Sequence, residues 1–152
     1  MVAGKHEDNE QTSGSQAYAL LSIDGLSLLI PRHEIRSLVL VDDIHVAIET
    51  EENAMGHIAF ENRDWPVFSL SRQLIPLHSI TEASRICVIL HIDNKYIGLL
   101  CDQIQNIEQQ QVQGLRACMH TTDTPILGLL IYENAVACAT STKRLNTFLV
   151  SK

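Results

Sequence analysis

The chain repeats itself. Residues 19–38 and 88–107 carry one apolar rhythm, and the pairs Ile23/Ile92, Asp24/Asp93, Ile35/Ile104 and Leu38/Ile107 all lie 69 positions apart. A second echo follows each copy. Gly56-His57-Ile58-Ala59-Phe60-Glu61-Asn62 matches Gly128-Leu129-Leu130-Ile131-Tyr132-Glu133-Asn134 at a spacing of 72. Each half then closes on a short polar-basic segment, Ser71-Arg72-Gln73-Leu74 and Thr142-Lys143-Arg144-Leu145. A duplicated strand-rich unit implies two similar small modules packed together. That arrangement serves binding more often than catalysis.

Strand signals dominate both copies. Gln16–Asp24 is apolar and partly alternating, and runs into Asp24-Gly25, a strong hairpin turn pair, with Leu26–Pro31 as the return. His33–Val41 reads as a strand from its β-branched and aliphatic run. Gly56–Phe60 and Trp65–Leu70 form a hairpin, with Pro66 pointing to an edge or a strand start because proline cannot donate to a ladder. Ser69 or Ser71 is placed to cap a short helical turn through Leu74. The second half follows the same plan through Arg85–Asp93, Tyr96–Cys101, Gln103–Val112, Pro125–Tyr132 and Ala135–Thr140. A final helix, capped by Ser141 or Thr142, runs through Val150 with Leu145, Phe148 and Leu149 on its apolar face. About ten short strands with tight turns predict an all-β chain of two small barrels or a sandwich.

Composition narrows the functional classes. At 152 residues, with 45% hydrophobic content, the chain suits one domain or two subdomains sharing a core. A net charge of −7, with eleven scattered Lys and Arg, argues against nucleic acid, which needs a concentrated basic surface. No apolar run reaches the ~18 residues that span a bilayer. The polar stretch over 1–15 is expected to be a disordered tail rather than a secretion signal, which points to the cytoplasm without membrane insertion. Cys87, Cys101, Cys118 and Cys138 lack metal-ligand spacing, and three of them lie in apolar runs where cysteine acts as a small hydrophobe.

No catalytic constellation assembles. None of the seven histidines pairs with His, Cys or a carboxylate at ligand spacing, no glycine-rich phosphate loop is present, and no Gly-x-Ser-x-Gly elbow occurs. Asp42-Asp43 and Glu49-Thr50-Glu51-Glu52 read as solvated acidic loops. The expectation is a protein without catalytic residues, metal or cofactor. A dispersed active site would need His33, His91 and a carboxylate to share one cleft.

The segment from Ile86 to Ile104 resembles the CheW-like family, whose members carry a V-G-L-x-V-D-x-V stretch matched here by Ile97, Gly98, Leu99, Asp102 and Ile104. Gln16–Ser37 resembles the family's opening hairpin and its following strand. Gly56 to Pro66 matches the spacing of its G-x-x-N-x-R-G-x-x-x-P segment without a gap. The resemblance covers residues 16–150. It implies one domain of two five-stranded, SH3-like β-barrel subdomains with short helices, including a C-terminal one. It also implies a non-catalytic adaptor in a bacterial chemosensory or pilus-motility pathway. Its partners would be a chemoreceptor signalling tip and the regulatory domain of a CheA-type histidine kinase.

Departures from the family pattern mark where coupling could differ. The family's Asn falls on Ala59, its Arg on Glu61, its turn Gly on Asn62, and its usual acids on Ser37 and Ser69. Glu61 therefore reverses a charge that the family uses for coupling, and Arg63 is close enough in sequence to substitute. The expected partner-binding residues are Ile35, Ser37, Glu61, Asn62, Arg63, Ile104 and Ile107, with the three isoleucines either core or an exposed docking patch. Trp65, the single tryptophan, is expected in the core. The rival reading is a small β-barrel protein that binds a metabolite between its two subdomains.

Overall fold

A computed structural model describes residues 17–45, 53–117 and 124–150, with side chains for all of these except 113–117. The expected tail over 1–15, the acidic run 49–52 and most of the loop expected at 116–124 lie outside the described residues.

Among the described residues, twelve strands carry the fold: β1 (Ala17–Ile23), β2 (Leu26–Pro31), β3 (Ile35–Leu40), β4 (Gly56–Phe60), β5 (Arg63–Leu70), β6 (Pro76–Leu77), β7 (Ile86–Ile92), β8 (Lys95–Cys101), β9 (Gln103–Glu108), β10 (Gln113–Ala117), β11 (Gly128–Tyr132) and β12 (Ala135–Ala139). Helix α1 (Thr142–Val150) follows β12. The strands form two curled sheets, ordered β10-β11-β12-β2-β1-β9 and β3-β7-β8-β5-β4, with β6 added beside β5. The two-barrel architecture expected from the sequence is what forms, with β6 and β10 as additions to the five-strand plan.

Hairpin chemistry sets the local structure. Asp24 and Gly25, Glu61 and Asn62, and Glu133 and Asn134 take positive φ in consecutive pairs, and Asp93 does so in the fourth hairpin. Two-residue turns of this hand match the twist of the flanking strands, and Asn, Asp and Gly tolerate the left-handed region best. Glu61 at φ 54° and Glu133 at φ 52° occupy the same turn position in the two copies.

The halves do not fold as separate modules. The sheet containing β1 and β2 takes β9, β10, β11 and β12 from the second half, whereas the sheet containing β7 and β8 takes β3, β4 and β5 from the first. The exchange is reciprocal in detail. Leu21 pairs with Ile104 as Leu90 pairs with Ile35. The parallel contact of Ala139 with Leu29 recurs as that of Val67 with Gly98. Pro66 is not at a strand start: it lies inside β5, paired with His57 of β4 and one residue before β5 meets β8, so that on the β8 side no ladder bond is asked of it.

The symmetry between β3 and β9 breaks at a bulge. On β9, Ile104, Gln105, Asn106 and Ile107 face Leu21, Leu20, Ala19 and Tyr18 in unbroken register. On β3 the ladder skips Arg36, so that Ser37 faces Ile89 and Val39 faces Cys87. A bulge shifts all later side chains by one place. Val39, not Leu38, is therefore the counterpart of Ile107. Leu38 and Leu40 occupy the places of Asn106 and Glu108.

Burial explains why the four hairpin strands of the repeat are almost wholly apolar. Leu21, Leu28, Ile30, Val88, Leu90, Leu99 and Cys101 face a central cluster joined by Phe68 and by Leu145 and Leu149 of α1. The alternate residues face the barrel interiors: Leu20 and Leu29 join Ile107, Leu130 and Tyr132, while Cys87, Ile89 and Leu100 join Met55, Ile58 and Val67. A strand buried on both faces needs apolar residues at every position. The space between the barrels is filled by this cluster, which counts against the metabolite pocket expected by the rival reading.

The termini of the elements are also specified. Ser141 Oγ accepts from Arg144 N at 3.1 Å and caps α1, and Glu34 Oε1 accepts from Thr142 N at 2.7 Å. The helical turn expected through Leu74 is a non-helical turn instead. There Ser71 Oγ accepts from the Gln73 and Ile75 amides, both at 3.2 Å. Asp102 Oδ2 accepts from Asp24 N at 3.1 Å, so this residue ties the start of β9 to the first hairpin.

Candidate docking surface

The β4–β5 hairpin projects Glu61, Asn62 and Arg63, all exposed, at the end of the second barrel. Its base is rigid. Trp65 pairs with Ile58 across the strands, is 6% exposed, and donates from Nε1 to Phe60 O at 2.9 Å. Trp65 is thus the buried residue that the sequence suggests. Tyr96 of β8 sets its ring edge-on to Phe60 and Trp65, at 5.0 and 5.1 Å between centroids, and His91 lies 5.4 Å away. Edge-to-face packing is the favoured aromatic geometry, so Tyr96 is held in place.

Glu61 joins this cluster to β3. Its Oε2 accepts from Arg36 Nη2 at 3.0 Å, and its Oε1 accepts from Tyr96 Oη at 3.0 Å. Because β3 and β4 are the two ends of their sheet, the ion pair bridges the seam of the barrel. Tyr96, and after it Glu61, raise the pKa of Arg36, which stays charged. The pair is exposed and solvent screens it, so its main effect is orientation. Arg63 lies with Cζ 4.6 Å above the Trp65 ring and keeps a cation at the tip of the hairpin. Bulge residue Arg36, absent from the sequence-derived site, is thus part of it.

The remaining expected residues divide. Ile35 and Ile104 are half-buried and both pack against the central cluster. Ser37 is half-buried opposite Ile89. Ile107 is 0% exposed inside the first barrel, so it stabilises β9 and is removed from the docking residues. On β3, Leu38 and Leu40 are 48% and 65% exposed. They pair with Val88 and Ile86, on the face that β7 buries in the central cluster, so they extend that core to the surface at the sheet edge. Exposed leucines at positions where the sister strand carries Asn106 and Glu108 are not demanded by the fold.

The chemistry available is that of a contact surface: two leucines, an aromatic edge, an internally paired carboxylate and a cation on an indole face. His33 lies in a 3-10 turn and His91 stands beside Tyr96. Among the described residues, no three His, Cys, Asp or Glu side chains converge as metal ligands.

Comparison with known proteins fits this arrangement. Residues 17–145 match the CheW-like domain family. The chain belongs to the CheW-like family. The crystal structure of scaffolding protein TtCheW from Thermoanaerobacter tengcongensis superposes with a TM-score of 0.63 at 16% sequence identity, covering 83% of this chain and 88% of that one. At that identity the likeness is one of fold. No curated protein sequence matches the chain. In this CheW-like chain the Glu61 carboxylate is paired inside the molecule with Arg36. No helix among the described residues is long and apolar enough to cross a membrane.

Proposed function

We propose that this CheW-like chain is a cytoplasmic, non-catalytic scaffold. It would link a chemoreceptor signalling tip to the regulatory domain of a CheA-type histidine kinase in a chemosensory or pilus-motility pathway. The observation that carries the reading is the surface formed by Leu38, Leu40, Ile35 and the Glu61–Arg63 hairpin. It joins exposed apolar side chains to a rigid aromatic base and a cation, the composition of an interface centre. Family membership supports the adaptor role. In this reading Arg63 supplies the positive charge that the family carries at the position of Glu61. The internal Arg36–Glu61 pair keeps the reversed charge from opposing an acidic partner group.

The test is a titration against a CheA-type regulatory domain, with Glu61→Arg and Arg63→Glu alongside. Binding by the wild type that is lost in Arg63→Glu is expected. Absence of binding by the wild type at high micromolar concentration would refute kinase coupling. Recovery only in Glu61→Arg would show that the surface serves a different partner.

A further inference from the structure

We propose that the outer face of the β11–β12 hairpin is a self-association surface that pairs two copies of this chain about a two-fold axis. This inference stands apart from the kinase and receptor assignment. Leu127, Leu129, Ile131 and Val136 are 42%, 38%, 46% and 60% exposed. They form one stripe. Leu127, Leu129 and Ile131 follow at every second residue, Leu127 N continues the ladder to Ala139 O at 2.7 Å, and Val136 faces Ile131 across the hairpin. Side chains at this spacing share one face of a strand.

The fold does not require these residues to be apolar. At the repeat spacing of 72, the sister hairpin β4–β5 places His57, Ala59 and Asp64 where β11–β12 has Leu129, Ile131 and Val136. Both hairpins fold with the same turn geometry. The counterpart of Leu127 is Met55, which is buried, so an exposed apolar stripe is present on this copy of the duplicated surface and not on the other, and that indicates a contact.

The charges at the ends of the stripe select the occupant. At one end, Leu127 shares a cavity of about 410 Å³ with Phe148 and Lys143 of α1. At the other end, past Ile131, the turn carries the exposed carboxylate of Glu133. About six residues of extended strand, roughly 20 Å, separate the two. A patch that is basic at one end, apolar in the middle and acidic at the other is complementary to itself when turned through 180°. That is what an isologous interface demands. Antiparallel apposition sets Glu133 of each copy against Lys143 of the other while the leucine–isoleucine stripes meet between them.

The experiment is sedimentation equilibrium of the whole chain between about 5 µM and 1 mM, with Val136→Asp, Glu133→Lys, Lys143→Glu and the Glu133→Lys/Lys143→Glu double variant. Expected are a monomer–dimer equilibrium, loss of dimer in Val136→Asp, at least roughly tenfold weakening in each single charge variant, and recovery in the double variant. Asp64→Val on the sister hairpin serves as the surface control and leaves the equilibrium unchanged. A wild type that stays monomeric to 1 mM, or a dimer indifferent to Val136→Asp, overturns the proposal. So does a double variant no tighter than the singles.

Discussion

Glu61 and Arg36 meet at 3.0 Å across the seam of the second barrel, one from the β4–β5 turn and the other from the bulge of β3. The carboxylate at the tip of the hairpin is therefore matched by a cation inside the same molecule. Glu61→Arg places two guanidinium groups together and frees the Tyr96 hydroxyl, yet solvent screening at the exposed site keeps the loss of stability small. The Arg36→Glu/Glu61→Arg swap is expected to return the melting temperature to within about 2 °C of wild type. Differential scanning calorimetry checks this. A swap as unstable as Glu61→Arg alone would show that the pair contributes nothing.

Leu38 and Leu40 separate docking from folding. Leu38→Glu and Leu40→Glu touch side chains that are 48% and 65% exposed, so the urea midpoint should shift by the equivalent of less than about 1 kcal/mol. Affinity for the kinase regulatory domain should fall at least tenfold. Ile107→Glu is the contrast, because it puts a charge among Leu20, Leu29 and Tyr132 and should unfold the first barrel. Circular dichroism together with titration calorimetry distinguishes the two classes.

Gly98 is held by its neighbours. A Cβ added there would stand 2.7 Å from Cys87 Sγ and 3.1 Å from Val67 Cγ2, where β8 runs beside β5. Gly98→Ala should cost about 1–3 kcal/mol, as overpacking of a filled core does. Cys87→Ala removes the obstructing sulfur. The double variant should accordingly be more stable than the sum of the two single losses predicts. Chemical denaturation of all four proteins gives the coupling, and strict additivity would contradict the contact.

The buried thiols report the core. Burial raises Cys87 and Cys101 from 9.0 to about 12, with the neighbouring Cys101 and Asp102 as respective lesser causes. In the unfolded chain each thiol ionises near 9, whereas in the folded state it does so only near 12. Their contribution is therefore complete below pH 9 and is lost as pH rises from about 9 to 12, at roughly 1.4 kcal/mol per pH unit per thiol. At pH 8 neither should react with a maleimide until the chain is unfolded. Mass spectrometry after pulsed labelling shows which cysteines are modified, and rapid native labelling of Cys87 would refute the burial.

The turns were legible residue by residue. Asp24-Gly25, Glu61-Asn62, Asp93-Asn94 and Glu133-Asn134 each mark a hairpin, and the apolar runs beside them give the strands. The double burial of β1, β2, β7 and β8 is written in their unbroken hydrophobicity. The pairing of hairpins with partners was not legible, because two similar copies offer two equally good sets of edges and local pattern does not choose between them. The bulge at Arg36 left no mark either, since any residue can be skipped. The fixed spacing of 69 thus matched Leu38 with Ile107, although one faces solvent and the other a core. At the docking surface, sequence placed Glu61, Asn62 and Arg63 together but missed Arg36 and Tyr96, which reach Glu61 only through the closing of the barrel.

The reciprocal exchange of hairpins makes the two halves mutually dependent. A chain severed between Leu77 and Ile86 would yield fragments that each hold a hairpin and a strand set belonging to different barrels. Neither fragment could finish a barrel alone, and the central cluster would be divided between them. Mixed together, the fragments should reconstitute one body. By the same logic, two free copies of a single half could clasp each other into the same shape. The duplicated chain has the topology of an intertwined dimer whose subunits were joined end to end.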